Sequence, residues 1–320
     1  MSALAEPTPT RPGSSAGNEA GETATPPPQD VFLANITVKC QDQTGVVAAV
    51  AQLLHGYGIN ILVTDQFTDS TTGMYFQRLK IDYTNMHVGP ANVAVLEKAM
   101  NEMAGKYGMT WKISYGAKQK VVAILVSRDD HCLYDLLIRH RSGELDCEVA
   151  AIISNHDKLR PVAEMFGMPF RHLPIDKSLE GGKRVQELQI EAALEELKVD
   201  LVVLARYMQI LTAEFCATWW ARTINIHHSF LPAFQGARPY HKAYARGVKT
   251  IGATAHYATA DLDAGPIIEQ DVTRINHTDD VPDMIRKGRD LERLVLARAV
   301  RWHLNDCVLV HGNKTVIFAS

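Results

Sequence analysis

The stretch KVVAILVS, Lys120 to Ser127, is a continuous apolar run with a polar residue at each end. A run of this length without alternation is typical of a strand buried on both faces of a sheet. Two more such runs follow, CEVAAIISNH (147–156) and VDLVVLARYM (199–208), with helical patterns between them. Strands that alternate with helices predict a parallel sheet with helices on both faces. The stretch therefore predicts an α/β domain, to which we assign residues 118–320.

The residues after this first strand, SRDDHCLYD, indicate which cofactors are absent. They contain no GxGxxG, and the chain contains no GxxxxGK[ST]. These glycine patterns bring backbone N–H groups close to the phosphates of dinucleotides and nucleotides. The sequence therefore predicts neither a dinucleotide cofactor nor a nucleotide hydrolase.

Residues 30–117, in front of this domain, have a different pattern. A strand, a helix, two strands, a helix and a last strand follow one another, which is the ferredoxin-like βαββαβ order. Together with the turn at Gly45 this order resembles the ACT family of amino-acid-sensing domains. A glycine turn at a helix N-terminus exposes N–H groups that suit a carboxylate ligand. The alternative is a domain that only assembles subunits. The resemblance implies an effector site at Asp42, Thr44, Gly45, Val46, Asn60 and Ile61.

The remaining composition is that of an ordinary globular protein. The hydrophobic fraction is 46% and the charged fraction 22%. The net charge of −3 gives no basic field for nucleic acid or a membrane. Five scattered cysteines without a CxxC pair indicate reduced thiols, and we expect a cytoplasmic protein. Residues 1–29, rich in Pro, Ser, Thr, Gly and Ala, are predicted to be a disordered tail.

The stretch INIHHS, Ile224 to Ser229, places polar side chains at the end of an apolar strand. Parallel sheets bind ligands beyond the carboxyl ends of their strands. Alternation puts Asn225 and His227 on one face, and His228 on the other if the strand continues that far. Asp263 follows in the loop ADLDAGP. An amide and an imidazolium that donate to an oxyanion, with a carboxylate that manages a proton, would suit acyl transfer or hydrolysis.

Other interpretations of these residues remain open on pattern alone. Asn225 and His227 would also fit a satisfied polar strand end, and Asp263 a turn before Gly265. Metal ligation by the histidines is weakly supported, because no pair has the HxxxH spacing of a zinc site on one helix and no cysteine lies nearby. Ser229 has no pattern that marks it as an activated nucleophile. We therefore expect no metal. The histidines considered as ligands are His227, His228, His241 and His256.

The segment from Ile224 to Gln270 resembles the core of the formyltetrahydrofolate-dependent formyltransferases, whose fold is Rossmann-like. Their N-x-H and later L-D-x-G-P motifs match here as Asn225-x-His227 and Leu262 to Pro266. Within that superfamily, HHSFLPAF, PYHKAY and the ACT-like front domain are similar to the formyltetrahydrofolate deformylases, the hydrolase members. Gln209 replaces an Arg that is common in the transferases. The folate contacts implied are Met208, Gln209, Ile210, Leu211, Ala260 and Asp261.

The resemblance implies hydrolysis of 10-formyltetrahydrofolate to formate and tetrahydrofolate, which supplies formate for purine synthesis and balances one-carbon folate pools. Asn225 and His227 would stabilise the oxyanion, Asp263 would activate water, and either Asp263 or His227 would protonate N10. We expect no cofactor. We expect a homo-oligomer that binds a small amino acid as an effector. The alternatives are a folate-dependent formyltransferase acting on a small amine and a catalytically silent sensor. Core packing is the alternative for Met208 and Ile210.

Overall fold

The computed structural model describes residues 31–176, 178–233 and 238–319, so the predicted disordered tail lies outside the described residues. Two larger sheets and a small hairpin organise them. The predicted fold class is confirmed: a four-stranded antiparallel sheet with helices precedes a seven-stranded Rossmann-like sheet. In the described part of the chain, no helix has the length and hydropathy needed to cross a bilayer.

The first sheet has the order β2-β3-β1-β4 and follows the predicted βαββαβ sequence. Alternate residues of its central strand are buried, because two helices cover one face and bury Ile36 and Val38 against Val50 and Met100. Gly45 has a φ of 95°, a conformation that favours glycine, and turns the chain into the first helix. The elements are β1 (Leu33–Gln41), α1 (Val46–Gly56), β2 (Asn60–Asp69), β3 (Met74–Asp82), α2 (Val93–Tyr107) and β4 (Thr110–Tyr115).

The second sheet has the order β11-β10-β9-β8-β5-β6-β7. Its first part comprises β5 (Lys120–Val126), α3 (His131–Arg141), β6 (Cys147–Ser154), α4 (Arg160–Met165), β7 (Phe170–His172), α5 (Gly182–Glu196), β8 (Leu201–Leu204), α6 (Ala213–Thr218) and β9 (Thr223–His227). Then come α7 (Pro239–Arg246), β10 (Thr250–Tyr257), β11 (Ile267–Arg274) and α8 (Val281–Leu304). The hairpin consists of β12 (Val308–His311) and β13 (Lys314–Ile317).

Two details of the sheet differ from the sequence prediction. Only β5 to β9 are parallel; β10 pairs antiparallel with both β9 and β11. The loop between β10 and β11 is too short for a parallel crossover, so the chain must reverse there. In addition, β8 ends at Leu204 rather than Met208, because Arg206 has a left-handed φ of 63°. The chain therefore leaves the sheet after β8, and residues 206–211 lie beyond its edge.

Candidate active site

The three predicted catalytic residues lie together at the carboxyl end of β9. Asn225 and His227 belong to this strand, and Asp263 is in the loop after β10. The Asp263 Oδ1 atom is 3.1 Å from Nδ1 of His227. His256 on β10 links the set, because its Nε2 atom is 3.2 Å from Asn225 Nδ2 and 3.9 Å from Asp263 Oδ1. The structure thus places an amide, two imidazoles and a carboxylate in one buried cluster.

The loop that carries Asp263 is held tightly against β10. The Tyr257 N–H donates to the Pro266 carbonyl at 3.0 Å. A Cβ atom on Gly265 would lie 1.8 Å from the Tyr257 carbonyl oxygen, so only glycine fits there. Asp263 itself has a φ of 58°, a left-handed conformation that is costly for a side-chain-bearing residue. The backbone therefore fixes the position of this carboxylate, in a conformation that aspartate adopts more readily than most other residues.

The electrostatics of the pair favour an ionised Asp263. Burial alone would raise the pKa of its carboxyl, but the hydrogen bond from His227 and the nearby imidazoles outweigh it and lower the pKa below its ordinary value. His227 donates through Nδ1 to this carboxylate, and its Nε2 atom is buried without a hydrogen-bond partner in the described part of the chain. A protonated His227 would donate from Nε2 as well. The unpaired Nε2 atom is therefore available to a ligand, as an acceptor when His227 is neutral and as a donor when it is protonated.

His256 fixes the orientation of the Asn225 amide. The Nδ1 atom of His256 is 2.9 Å from the Tyr257 carbonyl oxygen, which only accepts, so Nδ1 carries the proton. Burial lowers the pKa of His256 and keeps it neutral, so Nε2 accepts from Asn225 Nδ2. The second N–H of the same amide remains for a ligand. From the sequence alone, His256 stands out only as a possible metal ligand; its position inside an apolar strand is the signal for its role here.

A cavity of about 350 Å³ opens above this cluster. Met208 and Ile210 are each 57% exposed and line it, so the core-packing interpretation of these two residues is wrong. Among the other implied folate contacts, Gln209 and Leu211 also line the cavity, whereas Ala260 and Asp261 are not in its wall. Further lining residues are Leu204, Arg206, Tyr207, Arg238, Ala258, Thr259 and Leu262. A large apolar cavity with a few polar groups at one end is typical of a small-molecule site.

His228 lies nearer the predicted catalytic residues than the alternation predicted. Strand β9 ends at His227, so His228 does not continue to the opposite face but lines the same cavity. The two imidazole ring centres are 5.2 Å apart. Arg206 NH1 is 2.7 Å from His228 Nδ1. No pattern in the sequence indicates this contact, because the two residues are on different loops.

One cluster of metal-ligating residue types occurs in the described ranges: His131, Cys132 and Glu292. Glu292 already accepts hydrogen bonds from His131 and Tyr240, and Arg206 lies 3.5 Å from it. Burial raises the pKa of Cys132 well above its ordinary value, so its sulfur is a thiol rather than a metal-binding thiolate. The cluster therefore has the features of a protein ion-pair network.

The implied effector residues fall at two ends of the first sheet. Asp42, Thr44, Gly45 and Val46 follow the end of β1, near the pairing of Gln41 with Met74. Asn60 pairs with Asp82, at the other end of β3. With about 3.3 Å per residue in a strand, the two groups are roughly 25 Å apart. One chain therefore does not bring the six residues into a single site.

Known proteins resemble this chain along most of its length. The model of the formyl transferase family matches residues 120–300. A formyltetrahydrofolate deformylase of Synechocystis sp. is 50% identical, over 90% of this chain and 99% of its own length. The corresponding enzyme of Bacillus subtilis is 46% identical, over 88% and 93%.

Solved structures show the same relation. A formyltetrahydrofolate deformylase from Pseudomonas syringae pv. tomato superposes with a TM-score of 0.86 and 43% identity, over 91% of this chain and 96% of that one. The glycinamide ribonucleotide transformylase 1 of Symbiobacterium toebii matches 64% of this chain and 97% of its own, with a TM-score of 0.60 and 28% identity. The similarity to the deformylases thus includes the front sheet, and the chain belongs to the formyltetrahydrofolate deformylase family.

Proposed function

We propose that this protein hydrolyses 10-formyltetrahydrofolate to formate and tetrahydrofolate. The observation that carries the proposal is the His227–Asp263 pair at the end of an apolar cavity, with the His227 Nε2 atom left without a partner. The names of the relatives at 44–50% identity give the substrate. The reaction would supply formate for purine synthesis and balance one-carbon folate pools.

In the proposed mechanism the formyl oxygen lies between Asn225 and His227. Water attacks the formyl carbon, and negative charge grows on that oxygen. The free N–H of the Asn225 amide and the Nε2–H of protonated His227 donate to it. Each donor of this kind contributes about 3 kcal/mol of transition-state stabilisation in other enzymes. Because both side chains are fixed by His256 and Asp263, little reorganisation is needed during the reaction.

Asp263 and His227 then divide the proton transfers. The ionised Asp263 accepts a proton from the attacking water as the new C–O bond forms. His227 donates its Nε2 proton to N10 as the C–N10 bond breaks, so tetrahydrofolate leaves as an amine. The formic acid that forms releases its own proton to the solvent and leaves as formate. The His227–Asp263 pair thus accepts one proton from water and donates one proton to N10. The side chains supply every role, so the proposal includes no metal or cofactor.

Met208, Gln209, Ile210 and Leu211 are proposed to bind the folate. The half-exposed Met208 and Ile210 would bury apolar surface against the ring system, which stabilises a complex at about 25 cal/mol per Å². Thr259 and Leu262 stand in the cavity wall where Ala260 and Asp261 were expected, and we propose them as contacts in their place.

The front part of the chain, residues 30–117, is proposed to regulate or assemble the enzyme, and residues 118–320 to catalyse. Because Gly45 and Asn60 lie at opposite ends of one sheet, a shared effector site would require two copies of the chain. We therefore propose a cytoplasmic homo-oligomer that binds a small amino acid between subunits. Titration of amino acids should change the formate rate or the melting temperature; no change in either would leave assembly alone.

One assay tests the catalytic proposal. The protein is incubated with 10-formyltetrahydrofolate and no acceptor, and formate and tetrahydrofolate are measured. Equal release of both supports hydrolysis. Release that requires an added amine would contradict it in favour of transfer, and binding without turnover would contradict it in favour of a sensor.

A further inference from the structure

The tautomer of His228 follows from its contact with Arg206. The guanidinium NH1 atom is 2.7 Å from His228 Nδ1. All hydrogen-bonding groups of a guanidinium are donors, so His228 Nδ1 must accept. A neutral imidazole that accepts at Nδ1 carries its proton on Nε2. The contact therefore fixes His228 as the Nε2–H tautomer.

Arg206 is itself held firmly in this position. Its guanidinium is 3.0 Å from Asp129 Oδ2 and 3.5 Å from the buried Glu292 carboxylate. Tyr240 donates to Glu292 at 2.8 Å, and His131 is 2.8 Å from the other oxygen of the same carboxylate. The two carboxylates and the left-handed backbone at Arg206 thus aim this guanidinium at His228.

The charges around His228 keep it neutral. Burial, then the positive charge of Arg206, lowers the pKa of His228 to about 4, against the opposing effects of Glu292 and Asp263. His227 disfavours its protonation further, and the Tyr240 ring lies 5.8 Å from its own. The carboxylate of Asp129, on a neighbouring segment, is paired with Arg206 rather than with His228. His228 therefore stays uncharged over roughly pH 5 to 8, where an ordinary histidine titrates.

A neutral N–H donor in the same cavity wall as Asp263 suits a water molecule. Nε2 of His228 has no hydrogen-bond partner among residues 31–176, 178–233 and 238–319, and the side chain lines the catalytic cavity. A water that accepts from Nε2–H can donate to Asp263 and still direct a lone pair at the formyl carbon. A cationic imidazolium in this place would instead weaken Asp263 as a base. We propose that His228, oriented by Arg206, holds the hydrolytic water; this inference rests on the proposed function.

Two substitutions at His228 test the proposal. In His228→Gln the amide nitrogen occupies nearly the position of Nε2 and keeps a donor there, whereas His228→Leu removes it. We expect kcat for formate release to fall about 100-fold in the leucine variant and less than about tenfold in the glutamine variant. KM for 10-formyltetrahydrofolate should stay within about twofold in both, and the exposed His277→Leu control should match the wild type. Equal losses in the two His228 variants would overturn the proposal.

A small nucleophile distinguishes two possible partners of the His228 N–H group, the attacking water and the formyl oxygen. Hydroxylamine attacks the same carbon to give formohydroxamate and does not need a held water. We expect His228→Leu to lose hydrolysis much more than hydroxylamine capture. A parallel loss of both reactions would overturn the proposal, because it would make His228 a donor to the oxyanion.

The tautomer of His228 can be determined by NMR in the absence of substrate. In ¹⁵N-labelled wild-type protein, the His228 side-chain nitrogens should show the Nε2–H pattern across roughly pH 5 to 8. An Nδ1–H pattern or an imidazolium would overturn the proposal. Failure of the wild type to release formate without an acceptor would instead refute the proposed function. Full activity of His228→Leu in a wild type that releases formate would refute only the role of His228.

Discussion

Two buried polar clusters of this protein pair a nitrogen-bearing side chain with an aspartate, and they differ in whether the pairing is complete. At the end of α8, Lys120 Nζ lies 2.7 Å from Asp306 and donates to the carbonyls of His303 and Leu304. These contacts use all three donors of the ammonium. In the cavity, His227 is paired with Asp263 through Nδ1, but its Nε2 is unpaired in the described structure. A closed cluster stabilises the fold, whereas an open one retains a group for a ligand.

The closed cluster also joins the two larger sheets. Arg78 on β3 donates to the Asn305 carbonyl at 3.0 Å, and Lys112 on β4 lies 3.8 Å from Asp306. These cations lie at the carboxyl end of α8, where unpaired carbonyls favour positive charge. Residues from both parts of the chain thus satisfy one helix terminus. The comparison predicts that changes in the open cluster affect turnover and changes in the closed cluster affect stability.

The largest expected effect is on turnover, from Asp263→Asn. The amide is similar in shape but cannot accept the proton of the attacking water. We expect kcat for formate release to fall about 10³-fold. The melting temperature should change little, which circular dichroism can check. Near-native formate release by this variant would show that Asp263 is not the base.

Lys120→Met is expected to lower the stability of the fold and to leave turnover nearly unchanged. It leaves the Asp306 carboxylate and two helix carbonyls without their ammonium partner, and loss of one partner of a buried pair costs about 3 kcal/mol. Urea denaturation should show this loss in the free energy of unfolding. The formate rate per folded molecule should stay within about twofold of the wild type. A large fall in kcat with unchanged stability would contradict the division between the clusters.

The pH dependence of stability gives an effect in the closed cluster that is smaller per pH unit. His303 accepts from or donates to the Tyr257 hydroxyl at 2.7 Å, and burial lowers its pKa from 6.5 to about 3. Between these values the unfolded chain binds a proton that the folded protein does not. Stability therefore falls as the pH falls, by about 1.4 kcal/mol per pH unit from this group. Urea titrations of His303→Gln between these pH values should show a slope shallower by that amount; an unchanged slope would contradict a neutral His303.

The smallest effect is expected at the cavity wall. Ile210→Ser removes an apolar contact with the folate, worth about 1 kcal/mol, and should raise KM about fivefold with kcat unchanged. Leu188→Ser, on the surface of α5 and 51% exposed, is the matched control and should leave KM unchanged. A fall in kcat alone would mean that Ile210 positions the reacting groups rather than binding the substrate.

How far the sequence predicts this structure depends on the range of the interactions. Strand alternation was enough to place Asn225 and His227 on one side of β9, because neighbours two apart share a face. The pairing of His256 with Asn225 depends on β10 running antiparallel to β9, a tertiary feature that no local pattern specifies. The contact of Arg206 with His228 likewise depends on where β8 and β9 end. Local patterns therefore predicted the strands and the position of the first candidate catalytic residues, but not the groups that orient them.

The proposed effector residues show the same limit in another form. The glycine turn at Gly45 and the strand start at Asn60 are both legible in the sequence, and the structure has them as local features. Their separation at opposite ends of the sheet follows from the order of the strands, which no short motif contains.

The source of the oxygen in formate tests the open cluster most directly. The wild type and Asp263→Asn are each supplied with 10-formyltetrahydrofolate in ¹⁸O-enriched water, without an amine acceptor. We predict one solvent oxygen in each formate, formed in equal amount to tetrahydrofolate by the wild type and about 10³-fold more slowly by the variant. Formate that lacks solvent oxygen, or that forms equally fast in both proteins, would contradict hydrolysis by the His227–Asp263 pair.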